Sequence, residues 1–186
     1  MAGDAEPVAY CDHRWETCVP RSTLASLSAT QLVTPGTWTG PIPVPDIDGA
    51  PYWQGLREHR LLIQRCAECR YWIHTPLAAC PRCLSFAVWP EPVSGRGVVY
   101  SFTVCNREFA PGLPPPYVAA LVDLVEQPAL RMVTMLVNCR IGEIRIGQPV
   151  RVVYYDVPSA TLAFFEPDGS PSGDSQVPCG DIQVRR

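Results

Sequence analysis

Four cysteines, Cys66 and Cys69 followed after ten residues by Cys80 and Cys83, form two CxxC pairs, and nothing else in the chain limits its fold as sharply. A CxxC turn aims two thiolates at one ion, and a second turn facing the first completes four sulfur ligands at about 2.3 Å, which suits Zn²⁺. Iron in a rubredoxin-like site uses the same four thiolates, so the spacing separates the two metals poorly and zinc is the expectation. With every ligand position filled by protein, none is left for water or substrate, and the metal is read as structural. Two disulfides would need an oxidising compartment, yet the opening MAGDAEPVAYCDHRWE has no basic n-region and no apolar h-region. A redox-active dithiol is disfavoured by the second motif so close to the first.

A chain of 186 residues with 47% hydrophobic content suffices for one ordinary domain plus a small module or a tail. No apolar run approaches the ~20 residues of a membrane helix, so a soluble, cytoplasmic protein with no membrane contact is expected. The basic residues are 15 arginines and no lysine against 18 acids, a net charge of −3. No basic stripe stands out, which argues against nucleic acid as a partner. Proline marks the limits of the folded part: five fall in residues 34–51, and SPSGDSQVP near the end has a turn-rich composition. Residues 1–50 therefore read as a flexible N-terminal arm, or one that orders against a partner, and 168–186 as a C-terminal tail. Cys11, His13 and Cys18 lie in the arm; their spacing fits no common metal site, and they read as free thiols and a solvated histidine.

From Pro51 the pattern changes. Trp53, Leu56, Arg60 and Leu61 recur at helical spacing, predicting a short helix from about Pro51 to His59. The strand-like LLIQR then enters the first CxxC turn, RYWIHTPLAA is β-prone up to Pro76, and Cys80-Pro81-Arg82-Cys83 makes the second turn. Residues 51–92 thus form an entry helix and a zinc ribbon, too small to bury a core of its own and dependent on the metal for folding. His74 inside it reads as a packed or solvated side chain. Trp89-Pro90-Glu91-Pro92 reads as a connection to residues 93–167, which are β-rich. VVYSFTVC alternates, predicting Val98, Tyr100, Phe102 and Val104 on one face and Val99, Ser101, Thr103 and Cys105 on the other. YVAALVDLV, ALRMVTMLV, VRVVYYDV and TLAFFEP supply four further strands with no long helix between them, which suggests a closed five-stranded barrel of OB type. Cys105 and Cys139 read as small apolar fillers. The fold class is mainly β: N-terminal helix, rubredoxin-like ribbon, OB-fold.

No catalytic constellation is legible. GxSxG, HExxH and a phosphate loop are absent from the sequence, and the histidines at 13, 59 and 74 lie outside the barrel strands. Asp123 with Glu126 could be a carboxylate pair, but near a turn they read as a solvated edge. No catalytic residue is assigned, and no independent activity is expected.

YWQGLREHRLLIQRC, the CAEC…CPRC ribbon, VSGRGVVYSFTV, PPPYVAALVDL and RIGQPVRVVYYD, in that order over residues 51–167, resemble the domain of unknown function 35 family. The resemblance implies a zinc ribbon followed by an OB-fold, and an accessory role beside thiolases, lipid-transfer-type aldolases or MaoC-type hydratases. It implies a non-catalytic subunit of a hetero-oligomer that supports binding or transfer of acyl-CoA thioesters, as in lipid or steroid side-chain catabolism. Arg96, Arg107 and Arg131 are the first candidates for contacting CoA phosphates, because a guanidinium grips phosphate bidentately. Two other functions share these modules: a nucleic-acid-binding ribbon–OB protein, disfavoured by charge, and a rubredoxin-like electron carrier. Members of the family commonly carry glycine after each CxxC, where the backbone favours a left-handed conformation; here Arg70 and Leu84 stand there.

Overall fold

The computed structural model describes residues 32–33, 38–44 and 47–169. Helix α1 spans Ala50–Arg57, with Pro51 in the first turn, where its missing N–H forfeits no intrahelical bond. The helix ends in a Schellman turn. His59 takes a left-handed φ of 53°, its N–H donates to the Leu56 carbonyl at 2.9 Å, and the Arg60 N–H reaches the Gly55 carbonyl at 2.9 Å. The expected helix is therefore present, closing two residues early.

Short strand β1 (Leu32–Val33) precedes the helix, and β2 (Leu62–Cys66), β3 (Trp72–Ile73) and β4 (Val88–Pro92) follow it. Strands β2, β3 and β4 form the ribbon sheet, antiparallel in the order β3-β2-β4. Residues 89–92, read from sequence as a connection, are most of β4. Prolines at 90 and 92 are compatible with a strand here because β4 is an edge, where an outward N–H has no ladder partner to lose.

The barrel consists of β5 (Arg96–Cys105), β6 (Tyr117–Leu124) and β7 (Arg131–Leu136), then, after the short β8 (Cys139–Arg140), β9 (Pro149–Val157) and β10 (Ala160–Pro167). It closes in the order β10-β7-β6-β5-β9, antiparallel throughout except for the parallel pairing of β10 with β7. The five-stranded closed barrel expected from the strand pattern is what forms. A register shift between Val99 and Ser101 in the β5–β6 ladder leaves Tyr100 as a bulge residue. This corrects the simple alternation: Val98 and Tyr100 face solvent, Val99 is buried, and beyond the bulge Phe102 and Val104 turn to the core. At Gly97 a Cβ would run into Val122 and the Asp123 carbonyl, so only glycine permits the close approach of β5 to β6 there.

The main core joins both modules. Leu56 and Leu61 from the helix and its exit, and Ile63 and Trp72 from the ribbon, pack in one cluster with Val99, Val118, Val122, Met132 and Phe165 of the barrel. Strand β10 is buried on both faces: Phe165 enters this core, while Leu162 and Phe164 pack outward with Val137, Trp38 and Trp53. Parts of the segment read as an arm thus lie on the barrel. Leu32–Val33 pairs antiparallel with Cys139–Arg140, and the Trp38 and Phe164 rings are 5.5 Å apart. Cys11, His13, Cys18 and the tail from residue 170 lie outside the described residues.

Candidate metal centre

The two CxxC segments fold as equivalent turns. In the first, the Cys66 N–H donates to the Tyr71 carbonyl at 2.9 Å and the Arg70 N–H to the Cys66 carbonyl at 3.0 Å; in the second, the Cys80 N–H donates to the Ser85 carbonyl at 2.9 Å and the Leu84 N–H to the Cys80 carbonyl at 2.9 Å. Arg70 and Leu84 both adopt the left-handed region, with φ of 62° and 63°. The conformation that glycine would favour is therefore imposed on side-chain-bearing residues at both positions.

The turns bring four sulfurs together. All lie within 4.8 Å of one another, and Cys66–Cys83 and Cys69–Cys80 are 3.5 Å apart at Sγ. A tetrahedron with bonds of about 2.3 Å has edges of about 3.8 Å, so the donor set fits a single four-coordinate ion, whereas a disulfide would need about 2.05 Å. The electrostatics agree. The Cys69 N–H, foremost among several hydrogen bonds, lowers the Cys66 thiol. Burial works against the Cys80 thiolate, but the N–H groups of Cys83 and Arg82 outweigh it and bring that thiol to about 7. The Ser85 N–H favours the Cys83 thiolate, yet burial and the neighbouring sulfurs prevail and push it up to about 12. Four thiolates this close need a cation among them.

Around the sulfurs, polar groups brace the ribbon. The Arg65 Nε donates to the Arg70 carbonyl at 2.9 Å, and both guanidiniums converge on Glu91: Arg65 at 3.1 Å, Arg70 through two bonds at 2.9 and 3.1 Å. Burial raises the Glu91 carboxyl, but the two arginines more than offset this and hold it below its ordinary value. The Arg65 guanidinium also lies 4.5 Å over the Trp72 ring. Trp72 is clasped from the barrel side: its N–H donates to Gln127 Oε1 at 2.9 Å, and Gln127 Nε2 donates to its carbonyl at 3.3 Å. Glu91 and Gln127 carry no sequence signal for this role, since each acts across more than twenty residues.

The three arginines proposed for CoA phosphates are not gathered. Arg131 donates to Asp123 at 2.7 Å and stacks 3.5 Å over the Tyr100 ring, while Arg96 lies 3.8 Å from Asp168. Arg107 lies beyond the far end of β5 from Arg96, roughly 30 Å away along the strand. Among the described residues, Arg107 has no ion-pair partner. Arg65, Arg70, Arg96, Arg131, Arg140 and Arg151 each face a carboxylate, so they build no basic stripe. Asp123 and Glu126 have separate partners: the first holds Arg131 at 2.7 Å, and the second accepts the Ser94 N–H at 2.6 Å.

One histidine does reach the barrel, contrary to its position in the sequence. His59 Nε2 lies 3.1 Å from Asp156 Oδ2 on β9, and its ring stacks on Tyr154 with centroids 5.1 Å apart. The Thr161 hydroxyl also donates to Asp156, at 2.7 Å. Hydrogen bonds from Thr161 and then His59 lower the Asp156 carboxyl. His74 stands apart from the sulfurs, beside Tyr52, and burial lowers its basicity. Cys139 is buried in the core, where desolvation pushes its thiol up to about 11; Cys105 is half-buried beside Tyr117. No helix of the described residues is long and apolar enough to cross a membrane.

Comparison with known proteins bears on the same two modules. Residues 53–88 match the family model described as ChsH2, rubredoxin-like zinc ribbon domain, and residues 90–154 that described as ChsH2, C-terminal OB-fold domain. A solved structure titled Ltp2-ChsH2(DUF35) aldolase overlays with a TM-score of 0.63 at 38% identity, covering 68% of this chain and 98% of the matched one. The chain belongs to the DUF35 family, in its ChsH2 branch. Curated relatives include a "Probable enoyl-CoA hydratase alpha subunit" of Thermomonospora curvata, 38% identical over 128 residues, or 68% of this chain and 40% of that protein. Another is the 3-oxo-4,17-pregnadiene-20-carboxyl-CoA hydratase alpha subunit of Mycobacterium tuberculosis, 38% identical over 121 residues, or 65% of this chain and 38% of that protein. The chain thus spans about two fifths of the length of these curated relatives.

Proposed function

We propose that this chain is a non-catalytic ribbon–OB accessory subunit that docks on a thiolase-like enzyme, be it a thiolase, a lipid-transfer-type aldolase or a hydratase. It supports the binding or transfer of acyl-CoA thioesters, in lipid or steroid side-chain breakdown. The observation that carries this reading is the 38% identity over almost the whole DUF35 chain of the Ltp2-ChsH2 aldolase. The four-sulfur cluster supports it by offering a closed, structural site. Cys66, Cys69, Cys80 and Cys83 would hold Zn²⁺, whose contribution is folding free energy for residues 51–92, beside an OB unit of residues 93–167. For CoA phosphate, Arg107 is the candidate whose guanidinium is uncommitted.

The test is association. The full chain, mixed with a purified thiolase-fold aldolase subunit, is expected to co-migrate on size exclusion and to raise retention of a CoA thioester by the complex. A chain that stays monodisperse beside such subunits overturns the proposal. Colourless protein with one zinc per chain is expected; visible thiolate-to-iron absorption would assign iron instead.

A further inference from the structure

We propose that Cys83 is the thiol modification site of the metal-loaded ribbon: it attacks a small-molecule disulfide before the other three cysteines do, and Cys66 then closes a protein disulfide with it. This rests on the structural-metal reading above and needs no docking partner. With a metal bound, all four sulfurs are thiolates, so ionisation does not choose among them; access and hydrogen bonding do. Cys66 and Cys80 are buried and form a small core with Ile73, against which the half-buried Cys69 packs. Cys83 lies outside that core and is exposed, in a run, residues 81–84, that is exposed throughout.

Hydrogen bonding points the same way. Cys66 accepts the N–H groups of Glu68 and Cys69, and Cys80 those of Arg82 and Cys83, whereas Cys83 accepts that of Ser85 alone. Each N–H draws electron density from the sulfur it meets, so Cys83 is left more nucleophilic than the first cysteine of either turn. The first turn is also braced from outside, by Arg65 on the Arg70 carbonyl and by Arg70 on Glu91. Among the described residues the second turn has no such brace, and its side-chain bonds stay within residues 80–87. The step then balances. The Cys83 thiolate leaves the metal, bonds to one sulfur of the small disulfide and expels the other as a thiolate. The Cys66 sulfur, 3.5 Å from that of Cys83, attacks the mixed disulfide and expels the second thiolate. Two protein thiolates are oxidised, the small disulfide is reduced by two electrons, and a divalent ion left with two of its four thiolates is released. Because so small a ribbon depends on its metal, this chemistry unfolds it.

The zinc-loaded full chain, treated with limiting iodoacetamide and separately with glutathione disulfide, tests this by peptide mass spectrometry. Cleavage at arginine separates residues 66–70, 71–82 and 83–96, so Cys80 and Cys83 are read on different peptides. Among the four ligands, Cys83 is expected to be alkylated about fivefold faster than any other. Glutathione disulfide should yield first a crosslink between peptides 66–70 and 83–96, through Cys66, with two glutathione thiols formed for each zinc released. Cys83→His, which keeps a fourth ligand but removes the attacking sulfur, should slow zinc release by about tenfold or more. If that variant holds no zinc, the order of labelling in wild type remains the test. First labelling at Cys66, Cys69 or Cys80, equal labelling of all four, a first disulfide within one CxxC turn, or zinc release from loaded Cys83→His at the wild-type rate each overturns the proposal. A wild-type chain that takes up no metal before any reagent is added overturns the metal reading itself.

Discussion

Leu84 shows how a single residue can be held against its own preference. Its left-handed φ of 63° costs an L-residue roughly 1 kcal/mol, and its side chain is largely exposed, so no packing is gained in exchange. Leu84→Gly is expected to tighten metal binding by about twofold to fivefold, read by chelator competition. Arg70→Gly should gain less, since Arg70 also holds Glu91 through two bonds. At Asp156, the carboxyl is lower in the folded chain than when unfolded. The stability it confers is present above the ordinary carboxylate range near pH 4 and lost as pH falls through its depressed folded value. Wild type should therefore exceed Asp156→Asn in urea midpoint at pH 7, with the gap shrinking below pH 4; a gap that widens with acid contradicts the assignment.

The ribbon is an element whose stability lies in its ligands. Its strands are only five, two and five residues long, too short to persist without the cluster they carry. Cys66→Ser should forfeit much of the ~10–16 kcal/mol of apparent binding that a structural zinc supplies, and the expected readout is metal loss with proteolytic cleavage confined first to residues 62–92. That this is a ribbon was legible from the cysteines. That β4 belongs to it was not, because Pro90 and Pro92 read as breakers until the strand is seen to lie on an edge. The bulge at Tyr100 was hidden likewise: alternation in β5 is unbroken in sequence, and only pairing with β6 creates the extra residue.

In the whole molecule, ribbon and barrel share a core through Trp72, Ile63 and Leu61, and Gln127 clasps the Trp72 backbone at both its N–H and its carbonyl. Metal removal is therefore expected to lower the melting temperature of the barrel as well as the ribbon, followed by circular dichroism with and without chelator. Gln127→Ala, which severs the clasp while leaving the sulfurs in place, should reduce that shift and split a single transition into two. An unchanged barrel transition on chelation would mean the modules are energetically separate.

The sequence by itself determined the four-sulfur site, the order of helix, ribbon and barrel, and the family, because CxxC spacing, strand alternation and ordered motifs are local properties of the chain. Only the tertiary structure decided which arginines are already engaged by carboxylates, that His59 reaches Asp156, and that Thr39 meets Gly112 across 73 residues. Those are through-space pairings, set by barrel closure and register, and no local pattern encodes which distant backbone will arrive beside a given side chain.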